Sequence, residues 1–301
     1  MQRLKDKIAV VTGASRGVGR GIALVLGEEG ATVYVTGRSS RDGHPTVGHD
    51  WKGKPRYHSG TIEETADLVT ARGGAGISMH VDHTVDEQVE MFFERIKQDI
   101  GHLDILVNNV WGGYENEENY MVPLWEQPIW RWDAMFNAGA RAHFTSSRFA
   151  IPLMLSQRQG LIVNTTYYYG STPKQPSHIV DLSKNVVNGL VHMLAHQLQE
   201  HHIAVVGVAP ISPRDAGVWS GETLLRIQSV LHMKGNLDAI FNEHPRLASG
   251  ESPEYTGRAV ASLAVDSNMM EKLGHIFAVG ALAEEYGFTD IDGKRPPRAM
   301  G

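Results

Sequence analysis

One glycine-punctuated stretch near the amino end, Thr12-Gly13-Ala14-Ser15-Arg16-Gly17-Val18-Gly19, constrains this chain more than any other. It follows the apolar run Ile8-Ala9-Val10-Val11 and leads into Arg20-Gly21-Ile22-Ala23-Leu24-Val25-Leu26, the order of a strand, a tight turn and a helix. At such a turn an anion meets unpaired backbone N–H groups and the positive end of the helix. Glycines let the backbone approach it without a Cβ clash. The spacing Gly-x-x-x-Gly-x-Gly differs from the commoner G-x-G-x-x-G dinucleotide fingerprint, although the mechanics are the same. A nucleotide diphosphate is the expected ligand.

Apolar runs and helical periods alternate along the rest of the chain. Ala31 to Thr36 is β-branched and reads as the second strand. Ser39 to Gly60 is rich in Gly, Pro, His and charge and reads as a loop insertion over 39–60. From Thr61, Ile62, Ala66 and Val69 recur at helical spacing until Gly73-Gly74. A third strand, Gly76 to Val81, ends at Asp82, and a helix from Asp86 to Asp99 carries Val89, Phe92, Phe93 and Ile96 on one face. Leu103 to Val107 is a buried fourth strand ending at Asn108-Asn109. The loop behind it holds Trp111, Tyr114, Tyr120, Trp125 and Trp130, side chains suited to walling a pocket for an apolar or aromatic substrate. A long helix follows from about Trp130 to Ser156, then a fifth strand from Leu161 to Thr166, a helix from Asp181 to Gln199 and a sixth strand from Ile203 to Val208. The pattern blurs over 211–250, where an α/β enzyme often keeps a substrate lid. Ser252-Pro253 opens a further helix, Ile276 to Val279 closes the sheet, and 281–301 is a tail. Strands apolar along their whole length and alternating with helices imply an α/β, doubly wound Rossmann-type fold: one seven-stranded parallel sheet with helices on both faces. With no break in composition across 301 residues, a single domain is expected over 1–301. Ligands then belong at the carboxyl ends of the strands.

Charge and composition narrow the partners. With 28 Lys+Arg against 34 Asp+Glu, a net charge of −6 gives no electrostatic reason to expect nucleic acid or an anionic membrane. The first residues hold no signal-type apolar segment, and no run of about 18 apolar residues occurs, so the cytoplasm is expected. The chain has no cysteine, which removes disulfides, thiolate metal sites and a cysteine nucleophile. No metal site is expected. His192-x-x-x-His196 lacks the glutamate of a zinc helix, because Met193 follows the first histidine, and Asp290-x-Asp292-Gly293 lacks the twelfth-position glutamate of a calcium loop.

Thr12-Gly13-x-x-x-Gly17-x-Gly19, Asp82, Asn108-Asn109, Asn137 in the long helix and Lys184 in the next one together resemble the short-chain dehydrogenase/reductase family, over nearly the whole chain. The closing stretch Glu285 to Gly293 is similar to one branch of it. The resemblance implies an oxidoreductase that uses a nicotinamide cofactor on a small-molecule substrate. It places the pyrophosphate on Gly13, Ser15, Arg16, Gly17, Val18 and Gly19, the adenine beside Asp82 and His83, the adenosine side on Asn109 and the nicotinamide ribose on Lys184. Asn137 would position a water in a proton relay. The helix bearing His192 and the one beginning near Trp130 resemble the family's dimerising pair, so a homodimer or homotetramer is expected. Cofactor choice follows from charge: sites that prefer NAD place a carboxylate at the end of the second strand, whereas this strand ends in Gly37-Arg38. Guanidinium groups bind a 2′-phosphate in a bidentate way, so Arg38 and Arg16 favour NADP(H) over NAD(H).

The pattern breaks on the nicotinamide side. The family's proton donor is a tyrosine four residues before the lysine, and here that residue is Val180. Loss of a positioned acid commonly costs on the order of 10²–10⁴ in rate. The family's serine, thirteen positions earlier, is Tyr167 here. The Pro-Gly after the sixth strand is Pro210-Ile211, and the threonine beyond it falls at about Asp215. Three readings stay open. Redox chemistry survives with Tyr167 as the acid, Tyr168, Tyr169 and His178 being weaker deputies and Thr166 a substitute for the serine. Alternatively, the fold performs a non-redox dehydration, isomerisation or cyclisation, or it only binds.

Overall fold

Runs rich in apolar and β-branched residues bury fully only in a sheet covered on both faces, and the chain builds one such sheet from seven strands, the central ones buried almost throughout. The computed structural model describes residues 2–42, 47–49, 55–57, 60–112, 123–167, 179–210 and 251–296. Its strands are β1 (Ile8–Val11), β2 (Thr32–Gly37), β3 (Val47–His49), β4 (Pro55–Tyr57), β5 (Ala75–His80), β6 (Ile105–Asn108), β7 (Gly160–Thr165), β8 (Ile203–Ala209) and β9 (Ile276–Ala278). Seven form one sheet in the order β5-β2-β1-β6-β7-β8-β9, every pair parallel. Strand order reverses beside β1, between β2 and β6, and a crevice opens there at the carboxyl ends.

The helices are α1 (Gly17–Glu28), α2 (Ile62–Ala71), α3 (Asp86–Asp99), α4 (Ile129–Met135), α5 (Ala142–Leu155), α6 (Ile179–Leu198), α7 (Pro253–Ala264) and α8 (Val279–Tyr286). Strand side chains alternate between two cores, as the period of two requires. Ala9, Val11, Val33, Val35, Val107 and Val163 pack with Ile22, Leu26, Tyr255, Val260 and Leu282 on one face. Val10, Leu106, Ile162 and Val205 pack with Phe92, Phe93, Ile96, Met154 and Leu194 on the other. The sheet and helices are the architecture the alternating pattern implied.

Two details differ from the sequence reading. Within the stretch read as a loop over 39–60, β3 and β4 pair as an antiparallel ribbon, Val47 opposite Tyr57. Strands of three residues each are too short to leave an apolar alternation to read. The long helix runs from Ile129 to Leu155 but is interrupted by a π-helical turn at Phe136–Arg141. Such turns insert an extra residue into the helical ladder and often lie at functional sites. Among the described residues, no helix is long and apolar enough to cross a membrane.

Candidate active site

The junction of β1 and α1 builds the first wall of the crevice. Gly13 and Gly17 take φ values of +65° and +55°, a region open to glycine at little cost. A Cβ on Gly19 would lie 2.4 Å from Asn109 Nδ2 and 2.5 Å from the Gly13 carbonyl oxygen, so the turn is closed to any side chain there. Thr12 ties the turn to the end of β6: its hydroxyl donates to the Val107 carbonyl (3.2 Å) and accepts from the N–H groups of Asn109 (2.9 Å) and Val110 (3.2 Å). Asn109 Nδ2 donates to the carbonyls of Thr12 and Gly13, both at 3.1 Å. Arg16, the N-cap residue of α1, makes no side-chain cap, and the first turn holds no acidic residue. The amides at this helix start therefore meet no carboxylate from the helix's own first turn.

A cleft of about 400 Å³ joins these groups to the second wall, lined by Gly13, Ser15, Arg16, Gly17, Val18, Arg38, Asp82, His83, Asn109 and Trp111 among others. Every cofactor-side residue expected from the sequence lines it except Gly19, which packs beneath the turn against Asn109 and the Gly13 carbonyl, and Lys184. Arg16 Nη2 donates to Ser39 Oγ (3.4 Å), and Arg38 stands exposed at the end of β2. Asp82 Oδ1 accepts from the Thr84 N–H (2.9 Å) and hydroxyl (2.7 Å), which fixes the carboxylate at the mouth of α3. The glycine cradle, the open helix start and the two guanidinium groups fit a nucleotide diphosphate.

Behind the cleft lies a buried polar layer that takes in His83, expected beside the adenine, and Asn108, and to which α5 adds His143, Ser146 and Ser147, which the sequence reading missed. His83 is buried between Thr36 Oγ1 (2.8 Å from Nε2) and Ser146 Oγ (3.1 Å from Nδ1), and burial pushes its pKa down to about 4. His143 Nε2 donates to the Val110 carbonyl (3.1 Å). Burial, reinforced by the nearby Lys184 charge, lowers its pKa to about 3. Asn108 Nδ2 donates to Ser147 Oγ (2.9 Å) and to Asn164 Oδ1 (3.1 Å). The signal was available: His143, Ser146 and Ser147 stand at i, i+3 and i+4 of α5, a polar stripe on a face that is buried.

On the nicotinamide side Lys184 is buried in α6, and Nζ donates to the Thr165 carbonyl (3.1 Å). It also lies 3.6 Å from the centroid of the Trp111 ring. Burial alone lowers its pKa from 10.5 to about 7. Val180 is buried with Met135 and Ile179, and Tyr167 packs against that trio together with Trp111 and Phe136. Thr166 is committed elsewhere, donating to Asn188 Oδ1 (2.6 Å). Asn137 is not brought to the cleft. It lies exposed on the far side of the π-helical turn, in a groove with Phe144, Val186 and Met193. The extra residue of the turn shifts the helical phase, so Ala138 and Gly139 face inward instead, Ala138 lining the cleft and Gly139 lying against the Trp111 ring. Trp125 is exposed, while Tyr114, Tyr120, Tyr168, Tyr169, His178, Asp215 and the whole of 211–250 lie outside the described residues. Asp290 serves the fold, accepting from the Ser252 N–H (2.8 Å) and hydroxyl at the start of α7.

Comparison with known proteins agrees with this geometry. The short chain dehydrogenase family model matches residues 7–50 and 56–213. The mouse (Mus musculus) dehydrogenase/reductase SDR family member 1 is 32% identical over 302 residues, 97% of this chain and 85% of that protein. Its human (Homo sapiens) namesake is 30% identical over 301 residues, with the same coverage of 97% and 85%. A solved metagenomic short-chain oxidoreductase in complex with NADP shares the fold, with a TM-score of 0.64 and 24% identity over 92% of this chain and 96% of that one.

Proposed function

Because this chain belongs to the short-chain dehydrogenase family of oxidoreductases, we propose that it is an NADP(H)-dependent dehydrogenase/reductase acting on the carbonyl or alcohol of a small apolar or aromatic metabolite, with Tyr167 as its proton donor. The observation that carries this reading is the single cleft in which the glycine turn, Arg16, Arg38, Asp82 and Asn109 converge. The turn amides and the start of α1 would hold the pyrophosphate, Arg16 and Arg38 the 2′-phosphate, Asp82 the adenosine end and Lys184 the nicotinamide ribose. Bound there, a nicotinamide ring supplies or accepts the hydride. NADP is the nucleotide in the metagenomic relative's structure, which supports the choice that the two arginines suggest.

The chain's own part is to move the proton. Val180 has no acidic hydrogen to give, and the packing of Tyr167 against the trio that includes Val180 supports Tyr167 as the donor. Lys184, buried nearby, favours the phenolate by charge whenever it is protonated. Turnover of NADPH with a panel of aromatic and aliphatic carbonyls tests this. Tyr167→Phe is expected to lower kcat by about 10²–10⁴ while leaving nucleotide affinity within about twofold. Absence of turnover in the parent, or a full-rate Tyr167→Phe, removes Tyr167 from the role.

The Trp111 ring over Lys184 favours a second reading, a non-redox step on the same fold, and conversion of a candidate metabolite without cofactor would establish that one. The proposal also takes 1–301 as one domain with 39–60 an insertion, 211–250 a lid and 281–301 a tail, and places the protein in the cytoplasm. It assembles the chain as a homodimer or homotetramer through α5 and α6, where Phe144, Val186 and Met193 are exposed.

A further inference from the structure

Lys184 and Trp111 come from elements far apart in the chain, yet the ammonium sits 3.6 Å from the centroid of the indole ring. The contact depends on a third residue. A Cβ built on Gly139 would lie 2.7 Å from Trp111 Cζ3 and 2.9 Å from Cε3, so a residue with any side chain there must push the ring aside. Gly139 is buried within the π-helical turn Phe136–Arg141, and the turn's extra residue is what presents it to the ring. Among the described residues, the ammonium donates to one carbonyl, that of Thr165. Among the described groups, His143 from α5 and His83 beyond β5 are held neutral by burial, and burial is what lowers the pKa of the lysine.

We propose that Trp111, seated on Gly139, is a positioning residue that holds the Lys184 ammonium against the site wall, taking over by cation–π attraction part of the restraint that a hydroxyl at position 180 would have supplied. A cation over an indole face is attracted by the ring quadrupole, most strongly when both are shielded from water. The pair also orients Nζ, because the ring face and the Thr165 carbonyl fix two of its directions.

This inference goes beyond the redox reading and does not depend on it, since it is tested on the protein alone, without nucleotide or substrate. In chain labelled with ¹³C at lysine Cε, the Lys184 resonance is assigned by its loss in Lys184→Met. It is expected to show an upfield ring-current displacement of its attached protons and a titration midpoint near neutrality. Trp111→Leu keeps an apolar cover but removes the ring face. It should abolish the ring-current displacement and lower the midpoint by about half a pH unit to one, with Trp111→Phe falling between. Gly139→Ala, which leaves the indole in the chain but displaces it, should reproduce the loss of ring-current displacement. The proposal is overturned if Trp111→Leu leaves the midpoint unchanged or raises it, because the ring would then be only a cover. It is equally overturned if the Lys184 protons show no ring-current displacement in the parent protein.

Discussion

Lys184 is a cation that the fold keeps at a cost. Its unfolded-state pKa is near the ordinary 10.5, whereas in the native protein burial brings it down to about 7. Between those values the unfolded chain binds a proton that the native chain does not, so stability rises with pH across that window by about 1.4 kcal/mol per pH unit. The penalty is present in full below pH 7. Lys184→Met removes it and is expected to be more stable than the parent by about 2 to 4 kcal/mol at pH 6, once the lost Thr165 bond is allowed for, with the gain shrinking toward pH 10. Denaturant unfolding at pH 6, 8 and 10 measures this, and a gain that stays constant with pH would mean that the lysine's charge is not what costs stability. A group retained against such a cost is a functional candidate. The family pattern made Lys184 legible in the sequence. Trp111 stood out only as a pocket-wall aromatic, and its meeting with Lys184 and Gly139 was not legible, because a contact with a partner far along the chain leaves no local period to read.

At the scale of elements, α5 is pinned to the sheet by polar bonds as well as by packing. Ser146 bonds His83 beyond β5, Ser147 accepts from Asn108 of β6, and His143 donates to Val110. The two histidines are neutral in the native state down to about pH 4 and about pH 3, while in the unfolded chain they charge near 6.5. Below pH 6.5 the unfolded state therefore gains protons first, and stability is lost as pH falls from 6.5 toward 4. Thermal unfolding followed over that range should show a shallower decline for His143→Phe than for the parent. Parallel slopes would show that His143 does not set the acid limit. Strand and helix positions were readable because their periods of 2.0 and 3.6 repeat over many residues. The π-helical turn was not readable: one added residue has no sequence signature, yet it carries Asn137 out to the α5 and α6 face and turns Gly139 inward.

Among the described residues, the whole molecule presents a crevice at the strand ends and an apolar face on α5 and α6, where Phe144, Val186 and Met193 stand 49%, 45% and 43% exposed. An exposed apolar face of this kind fits assembly. Light scattering at micromolar protein is expected to report a dimer or tetramer, and Val186→Glu to shift it to monomer; a monomeric parent contradicts the assembly. The central claim concerns the crevice, and calorimetric titration with NADPH, NADP, NADH and NAD tests it most directly. The parent should bind NADPH more tightly than NADH. Arg38→Asp should weaken NADPH by about 10- to 100-fold with little loss for NADH, and Gly19→Ala should bind neither. Absence of heat with all four nucleotides, or binding unaffected in Gly19→Ala, would contradict the account.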